Sequence, residues 1–174
     1  MPKLRIENFK CYKKEELLFG DLTVLVGANG AGKSSVIQSL LLLHEAVQAP
    51  KEHRRLPLNG FRSQNLGSAS DIVFNNDTSL DIKLSWVVDK PLKSSRVTLR
   101  SPDGDVIFNI DKIKCSIGEN ELTKAEFHFI SADRIGSSIA QPMHSSGNLN
   151  VGDKGEYCAQ LLADTYSHKV NSSR

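Results

Sequence analysis

The sequence predicts an α/β fold, in which a mixed sheet carries one long helix and an antiparallel β-meander is attached to it. Three observations support this prediction. A short run rich in β-branched residues ends at a glycine-rich loop, and the loop opens a segment with helical periodicity. From residue 79 onward, apolar and polar residues alternate with no helical segment between the alternating runs. The length of 174 residues corresponds to about one domain.

The composition excludes several classes of protein. Charged residues make up 24% and hydrophobic residues 39% of the chain, which is neither a disordered nor a fibrous composition. The apolar runs fall short of the ~20 residues of a membrane span, and the start of the chain lacks a signal peptide. Cys11, Cys115 and Cys158 are widely spaced, so we expect no disulfide framework or zinc site and a cytoplasmic location.

The first half of the chain predicts three strands and a helix. Residues 4–9 alternate as a half-buried strand, and residues 15–19 return beside it. Residues 22–26 read Leu-Thr-Val-Leu-Val and predict a buried central strand ending at Gly27. Residues 34–49 predict a helix that Pro50 stops. Its predicted apolar face consists of Leu40, Leu41, Leu43, Ala46 and Val47.

The second half predicts the meander and a closing helix. A short helix near residues 70–74 precedes alternating strands at 80–88, 97–99, 106–110 and 113–117. Residues 127–130 are strand-like, and residues 155–166 predict a helix with Tyr157, Leu161 and Leu162 on one face. We therefore divide the chain into a loop-bearing lobe (1–78), an antiparallel β-subdomain (79–125), and a return strand, loop and helix (126–174).

The glycine-rich loop matches the pattern G-x-x-x-x-G-K-[ST] of a phosphate-binding loop. Its glycines let successive N–H groups turn inward around an anion, and the helix that follows adds a partial positive charge. A chance glycine-rich turn is the alternative, but the Lys-Ser pair and the strand and helix on either side favour the binding interpretation. The predicted nucleotide-binding residues are Gly27, Ala28, Asn29, Gly30, Ala31, Gly32, Lys33, Ser34 and Ser35. The predicted cofactors are ATP, whose β- and γ-phosphates Lys33 reaches, and Mg²⁺, which the Ser34 hydroxyl ligates.

This opening of the chain resembles the ABC-type AAA ATPases, a group that includes the RecF, SMC and OLD-like proteins. The resemblance rests on Asn8-Phe9-Lys10 and on residues 22–35. Segments 58–60, 66–68, 71–73, 130–136 and 151–157 are similar to a narrower set of bacterial AAA ATPases, often encoded with phage-defence or nuclease partners. The resemblance implies a composite hydrolysis site with a signature loop from a second protomer. It therefore implies a homodimer or a complementing ATPase half.

Three further elements of that group have no clear counterpart in the sequence. After Lys33, no run of four apolar residues precedes an Asp-Glu pair, as a Walker B strand requires. Residues 116–119 imitate a signature loop but lie in the meander, where a turn is the simpler interpretation. Asp133 follows an apolar segment, but Arg134 occupies the place of the catalytic Glu. We therefore expect the N-terminal half of an ATPase, cut before Walker B, which binds ATP without hydrolysing it efficiently on its own.

Weaker signals concern a metal ligand and nucleic acid. Gln64 stands where the group has a glutamine that senses Mg²⁺ and the γ-phosphate, although a surface glutamine is the simpler alternative. Acidic neighbours dilute the two basic clusters, so we expect solvated surfaces and only weak, sequence-independent DNA binding. The clusters are Lys10, Lys13 and Lys14, and Lys51, His53, Arg54 and Arg55. His128 lacks a metal-ligating neighbour, and Trp86 is expected in the core.

The leading functional hypothesis is therefore ATP binding, with Mg²⁺-dependent hydrolysis only after the missing elements are supplied. DNA or a nuclease is a candidate partner, and no membrane is expected. The alternative is a non-catalytic nucleotide-binding or protein-interaction module. A kinase or GTPase with the same loop is disfavoured, because the meander replaces their alternating β-α pattern.

Overall fold

The structure is a computed structural model that describes residues 1–49, 54–61, 64–89, 92–100, 107–115, 127–131, 152 and 154–165. The chain divides into two compact units, Met1–Phe127 and His128–Arg174. The first unit contains a sheet, a long helix and the glycine-rich loop. The described part of the second unit contains one helix, α3 (Cys158–Thr165).

The first unit is built on a six-stranded sheet in which every ladder is antiparallel. The strand order is β2-β1-β6-β7-β8-β3. These strands are β1 (Lys3–Phe9), β2 (Tyr12–Leu18), β3 (Arg55–Pro57), β6 (Ile82–Asp89), β7 (Leu92–Arg100) and β8 (Ile107–Cys115). The other elements of this unit are α1 (Lys33–Gln48), the small ladder of β4 (Asn59–Phe61) with β5 (Gln64–Asn65), α2 (Ala69–Ile72) and a 3₁₀ turn at Phe74–Asn76.

Helix α1 covers one face of the sheet, which we call the inner face, and the core lies between them. Alternate residues along the strands point to this face, because side chains in a strand alternate sides. The fully buried side chains there include Leu4, Ile6, Leu84, Leu99 and Phe108. Burying each such side chain stabilises the fold by ~1.5–3 kcal/mol. On α1, Leu41, Leu43 and Ala46 are buried as predicted, and Leu40 and Val47 are partly buried.

The prediction of a buried central strand at residues 22–26 is wrong. This segment joins no ladder, and the side chains of Leu22, Val24 and Val26 are 85%, 70% and 88% exposed. The described sheet forms from β1, β2, β3, β6, β7 and β8 without this segment, and α1 already covers its inner face, so residues 22–26 have no place in its core. Of this segment, Leu25 packs partly against the core. The described sheet is accordingly antiparallel rather than mixed.

Two further expectations about strands differ from the structure. The described parts of the runs predicted at 106–110 and 113–117 belong to one strand, β8, in which a bulge opposite Thr98 and Leu99 shifts the register. Phe108 and Ile110 point to the inner face before the bulge, and Ile113 points to it after the bulge. In the sequence, this change in alternation looks like the end of one strand and the start of another. Residues 127–130 form no strand with any other described segment, although Phe127 and Phe129 are less exposed than His128 and Ile130.

The remaining elements agree with the sequence, apart from one face of α3. Strands β1, β2, β6 and β7, helix α1 and the short helix α2 lie within a few residues of their predicted positions. Trp86 is buried and packs against Phe19, with ring centroids 5.2 Å apart. In α3, however, Leu162 is 69% exposed and does not share a buried face with Leu161. No helix within the described ranges has the length and hydropathy needed to cross a membrane.

Candidate phosphate-binding loop

The glycine-rich loop adopts backbone conformations that only glycine takes readily. Gly30 and Gly32 have φ values of +82° and +89°, and Gly32 is the residue immediately before helix α1. Residues 28–31, which include Gly30, form a turn in which the Ala31 N–H donates to the Ala28 carbonyl at 3.2 Å. The chain can therefore reverse tightly around a central point.

This geometry leaves a set of backbone donors available to an anion. The N–H groups of Asn29, Gly30, Gly32 and Lys33 donate to no acceptor in the described part of the chain. Helix α1 has 16 residues and no acidic side chain in its first turn, so its partial positive end is not neutralised from within. Unpaired N–H groups at a helix N-terminus are the donors that typically bind phosphate.

The ammonium of Lys33 is held over the same loop. Its Nζ donates to the carbonyls of Gly27 at 2.8 Å and Ala28 at 2.7 Å. An ammonium has three N–H bonds, so one donor remains for a phosphate oxygen while two hold the side chain in place. The positive charge is thereby positioned beside the unpaired amides rather than extended into solvent.

The structure describes the side chain of one predicted metal ligand, Ser34, but not that of the other, Gln64. Ser34 is exposed at the start of α1, on the turn that carries the amides, and a hydroxyl is a suitable oxygen ligand for Mg²⁺. The backbone of Gln64 lies in β5, but its side chain is outside the described part of the structure. Across the described ranges, no three Asp, Glu, His or Cys side chains gather in a group able to hold a metal ion.

The turn between β1 and β2 packs directly against the loop. The Tyr12 hydroxyl donates to the Gly32 carbonyl at 3.3 Å. A Cβ placed on Gly32 would lie only 2.6 Å from Tyr12 Oη and 2.8 Å from Cys11 Sγ, so both side chains would have to shift, and the φ of +89° is itself strained for any other residue. Burial raises the pKa of Tyr12, the largest effect on that group, which keeps its hydroxyl protonated as a donor.

The same turn connects the loop helix to α2. Lys10 Nζ donates to Gln38 Oε1 on α1 at 2.7 Å, and the Lys10 N–H donates to the Ile72 carbonyl at 2.7 Å. Partial burial lowers the pKa of Lys10, although its ammonium keeps this partner. Lys10 therefore links α1, the β1–β2 turn and the end of α2, and it does not belong to an open basic cluster.

Helix α2 is fixed by a capping box. The Asp71 carboxylate accepts hydrogen bonds from both the N–H and the hydroxyl of Ser68, each at 2.7 Å. These hydrogen bonds lower the pKa of Asp71, and the Lys10 ammonium lowers it further. The support behind the β1–β2 turn is thus held by a carboxylate that stays ionised near neutral pH.

Sequence reasoning did not assign Tyr12 or Cys11 to the loop. Their contacts span about twenty residues of chain and depend on how β1 and β2 pair, which no local motif encodes. The available signal in the sequence is Asn8, a residue that tolerates positive φ. Asn8 at the end of β1 and Lys10 in the following turn both take positive φ values in the structure, as a tight reversal requires.

Other candidate residues lie apart from the loop or beyond the description. Arg54 and Arg55 are exposed, and His128 is exposed in the second unit. Several predicted positions are outside the described residues, namely Lys51, His53, Asp133, Arg134 and the segment 116–119.

Two comparisons relate this chain to known proteins. Residues 1–134 match the family described as the AAA ATPase domain. The chain is also similar to a protein of Thermus scotoductus named OLD nuclease, with 27% identity over 118 residues. That alignment covers 64% of this chain and 20% of the relative, so the chain spans about a fifth of the relative's length.

Proposed function

The chain belongs to the AAA ATPase domain family, and on that premise we propose that it binds Mg-ATP through residues 27–35. The observation that carries the proposal is the set of unpaired amides around Gly30 and Gly32, with the Lys33 ammonium held beside them. This arrangement supplies both directional donors and positive charge to a polyphosphate.

Each part of the loop has a distinct role in this proposal. The amides of residues 29–33 cradle the β-phosphate, and Lys33 directs its remaining N–H toward the β- and γ-phosphates. The Ser34 hydroxyl is a ligand for Mg²⁺, which when bound neutralises charge on the phosphate oxygens. The Tyr12 hydroxyl and the Cys11 side chain, which pack on Gly32, keep the turn in its binding conformation.

We further propose that hydrolysis requires groups supplied by other elements. Phosphoryl transfer needs a residue that orients the attacking water and charges that stabilise the transferring group. The sequence lacks an Asp-Glu pair behind an apolar strand, so this chain supplies ground-state binding. A second protomer or a complementing ATPase half would complete the site, which makes nucleotide-dependent dimerisation the expected behaviour.

A nuclease-linked role in the cytoplasm, including phage defence, is the biological setting we propose. The support is the similarity to a protein named OLD nuclease, together with the match to the AAA ATPase domain family. The second candidate function is a nucleotide-responsive interaction module without turnover. It is favoured by the exposed apolar side chains of Leu22, Val24 and Val26 beside the loop.

Isothermal titration calorimetry with Mg-ATP tests the binding proposal. Lys33→Ala removes a charge-assisted contact worth ~1.5–3 kcal/mol, so affinity should fall roughly 10- to 150-fold. Lys13→Ala is the matched control, because Lys13 is an exposed lysine on β2. Equal affinities for the native chain and Lys33→Ala would refute the assignment, as would an equal loss in both variants.

A further inference from the structure

The face of the sheet opposite α1, which we call the outer face, contains a depression that is separate from the glycine-rich loop. Its volume is about 240 Å³, and it lies over the adjacent strands β1, β6 and β7. The polar side chains that line it are Arg5, Glu7, Lys83, Ser85, Arg96 and Thr98. Three of them are cations and one is a carboxylate, so the lining has a formal charge of +2.

The register of the strands explains why a depression forms at this point. Arg5 on β1 lies opposite Ser85 on β6, and Ser85 lies opposite Arg96 on β7. Neighbouring strands are about 4.8 Å apart, so the two arginines are anchored about 10 Å apart. A serine side chain is much shorter than an arginine side chain. Ser85 therefore forms the floor between two walls that each carry a guanidinium.

The next row across the same strands adds a second hydroxyl and a balanced ion pair. Glu7 on β1 lies opposite Lys83, which lies opposite Thr98 on β7. The Glu7 carboxylate is 3.4 Å from Lys83 Nζ and 3.9 Å from Lys14 Nζ. Two cations thus share this one negative charge, which reduces its repulsion of an anion bound beside it.

Several donors of the depression have no acceptor within the described ranges. There, Arg96 forms neither a hydrogen bond nor an ion pair, and the hydroxyls of Ser85 and Thr98 donate to no acceptor. Arg5 directs its Nε to Glu16, which leaves the terminal nitrogens of its guanidinium available. The depression therefore combines positive charge on two sides with hydroxyl donors below.

The position of Arg96 also points to an anion. Arg96 lies directly opposite Lys114 on β8, and like charges directly opposite each other destabilise a sheet. A bound anion would offset this repulsion, because it would lie between the Arg96 guanidinium and the Arg5 guanidinium.

The charge, donors and volume of the depression identify the class of ligand. A phosphate monoester carries a charge of about −1.5 to −2 near pH 7, which matches the formal charge of the lining. Its terminal oxygens accept hydrogen bonds from several directions at once, and guanidinium groups bind them in pairs. The volume is below the ~300–1,000 Å³ of sites for drug-sized ligands, so it suits a small molecule. We propose that this depression binds a small phosphate monoester, held by Arg5 and Arg96 at the sides and by the Ser85 hydroxyl below.

Backbone amide NMR during a titration with methyl phosphate tests this proposal on the full chain, because it resolves the depression from the glycine-rich loop. The amide signals of Ser85 and Thr98 should shift and saturate together. In Arg96→Ala, the dissociation constant read from the Ser85 signal should rise at least roughly tenfold, since a charge-assisted contact is lost. The melting temperature of this variant should not fall, because its substitution removes one of two like charges that face each other.

Two further variants separate a built site from general attraction to a basic surface. Arg55→Ala is the matched control, because it removes an exposed arginine of the outer face on β3, outside the depression. Its dissociation constant should remain that of the native chain. Ser85→Val keeps every charge but removes the hydroxyl and narrows the floor, so it should weaken binding about as much as Arg96→Ala. Valine suits a strand, and the fold of this variant is checked by its melting temperature.

Comparison of ligands tests the class. Dimethyl phosphate is a diester with one negative charge, and malonate is a dicarboxylate; methyl phosphate should bind more tightly than either. Its affinity should also fall from about pH 7.5 to about pH 5, because its second pKa is about 6. Unshifted Ser85 and Thr98 signals would overturn the proposal, as would equal losses in Arg96→Ala and Arg55→Ala, native affinity in Ser85→Val, or tighter binding of dimethyl phosphate or malonate. Lys33→Ala should leave the Ser85 shift unchanged, which separates this result from the nucleotide proposal.

Discussion

At the scale of single residues, the glycine-rich loop shows what a local motif can and cannot predict. The motif identifies Gly30, Gly32 and Lys33, because the chemistry of an anion site is encoded within a few consecutive residues. It does not reveal that Tyr12 Oη and Cys11 Sγ occupy the space where a Cβ on Gly32 would lie. That constraint arises from strand pairing across distant segments.

Alanine substitutions at Gly30 and Gly32 separate the cost of backbone strain from the cost of a steric clash. Gly30→Ala should cost ~1–2 kcal/mol of stability, because its φ of +82° is strained for alanine while the surrounding space is open. Gly32→Ala carries the same strain and adds a clash, so it should cost more and should also weaken Mg-ATP binding. Urea denaturation and calorimetry measure the two effects.

A double-mutant cycle checks the cause. In a Tyr12→Ala background the clash with Oη is gone, so the additional cost of Gly32→Ala should shrink. If the two glycine variants were equally stable in the native background, the packing of the β1–β2 turn on the loop would be contradicted.

At the scale of elements, regular alternation in the sequence predicts well where strands lie. It does not predict which segments pair with one another. Strands β1 and β6 agree with their patterns because the residues facing α1 are buried while most residues on the opposite face are not. Residues 22–26 carry an equally apolar pattern, but no described strand pairs with them. An apolar run shows that a segment can be buried. Whether it is buried depends on which other strands are available to pair with it.

Exposure at residue 22 leads to a sharp stability test. Leu22→Ala should change the free energy of unfolding by no more than ~0.5 kcal/mol, because the side chain is 85% exposed. Leu84→Ala, at a site that is 1% exposed on the inner face, should cost ~2–5 kcal/mol. Both values come from chemical denaturation. A loss at Leu22 as large as that at Leu84 would instead support a buried strand at 22–26.

At the scale of the whole molecule, the first unit joins the proposed phosphate-binding loop to one antiparallel sheet. The β1–β2 hairpin connects the two, since Tyr12 contacts the loop and β1 pairs with β6 in the sheet. The sequence predicted the loop and the meander separately. The joint sheet of β1, β2 and β6 to β8 could not be predicted, because the order of strands depends on contacts between segments more than 60 residues apart.

The division between binding and turnover is also a property of the whole molecule. Purified chain should release phosphate from Mg-ATP at near-background rates, because a positioned acid or base contributes ~10²–10⁴ in rate and the sequence offers no Walker B pair. Asp133→Asn should leave that rate unchanged. A steady-state phosphate assay that found robust turnover, abolished by Asp133→Asn, would show that Asp133 serves as the missing acid.

Backbone amide NMR during a titration with Mg-ATP tests the central claim most directly, because that claim assigns the phosphates to particular N–H groups. The amides of Gly30, Gly32 and Lys33 should shift progressively and saturate together, since each acquires a charge-assisted hydrogen bond. Gly67, which also takes a positive φ value but whose N–H already donates to Asn59 Oδ1 at 3.0 Å, serves as the internal control and should not move. Saturating nucleotide that left the three loop amides unshifted, or that moved the Gly67 amide instead, would contradict the account.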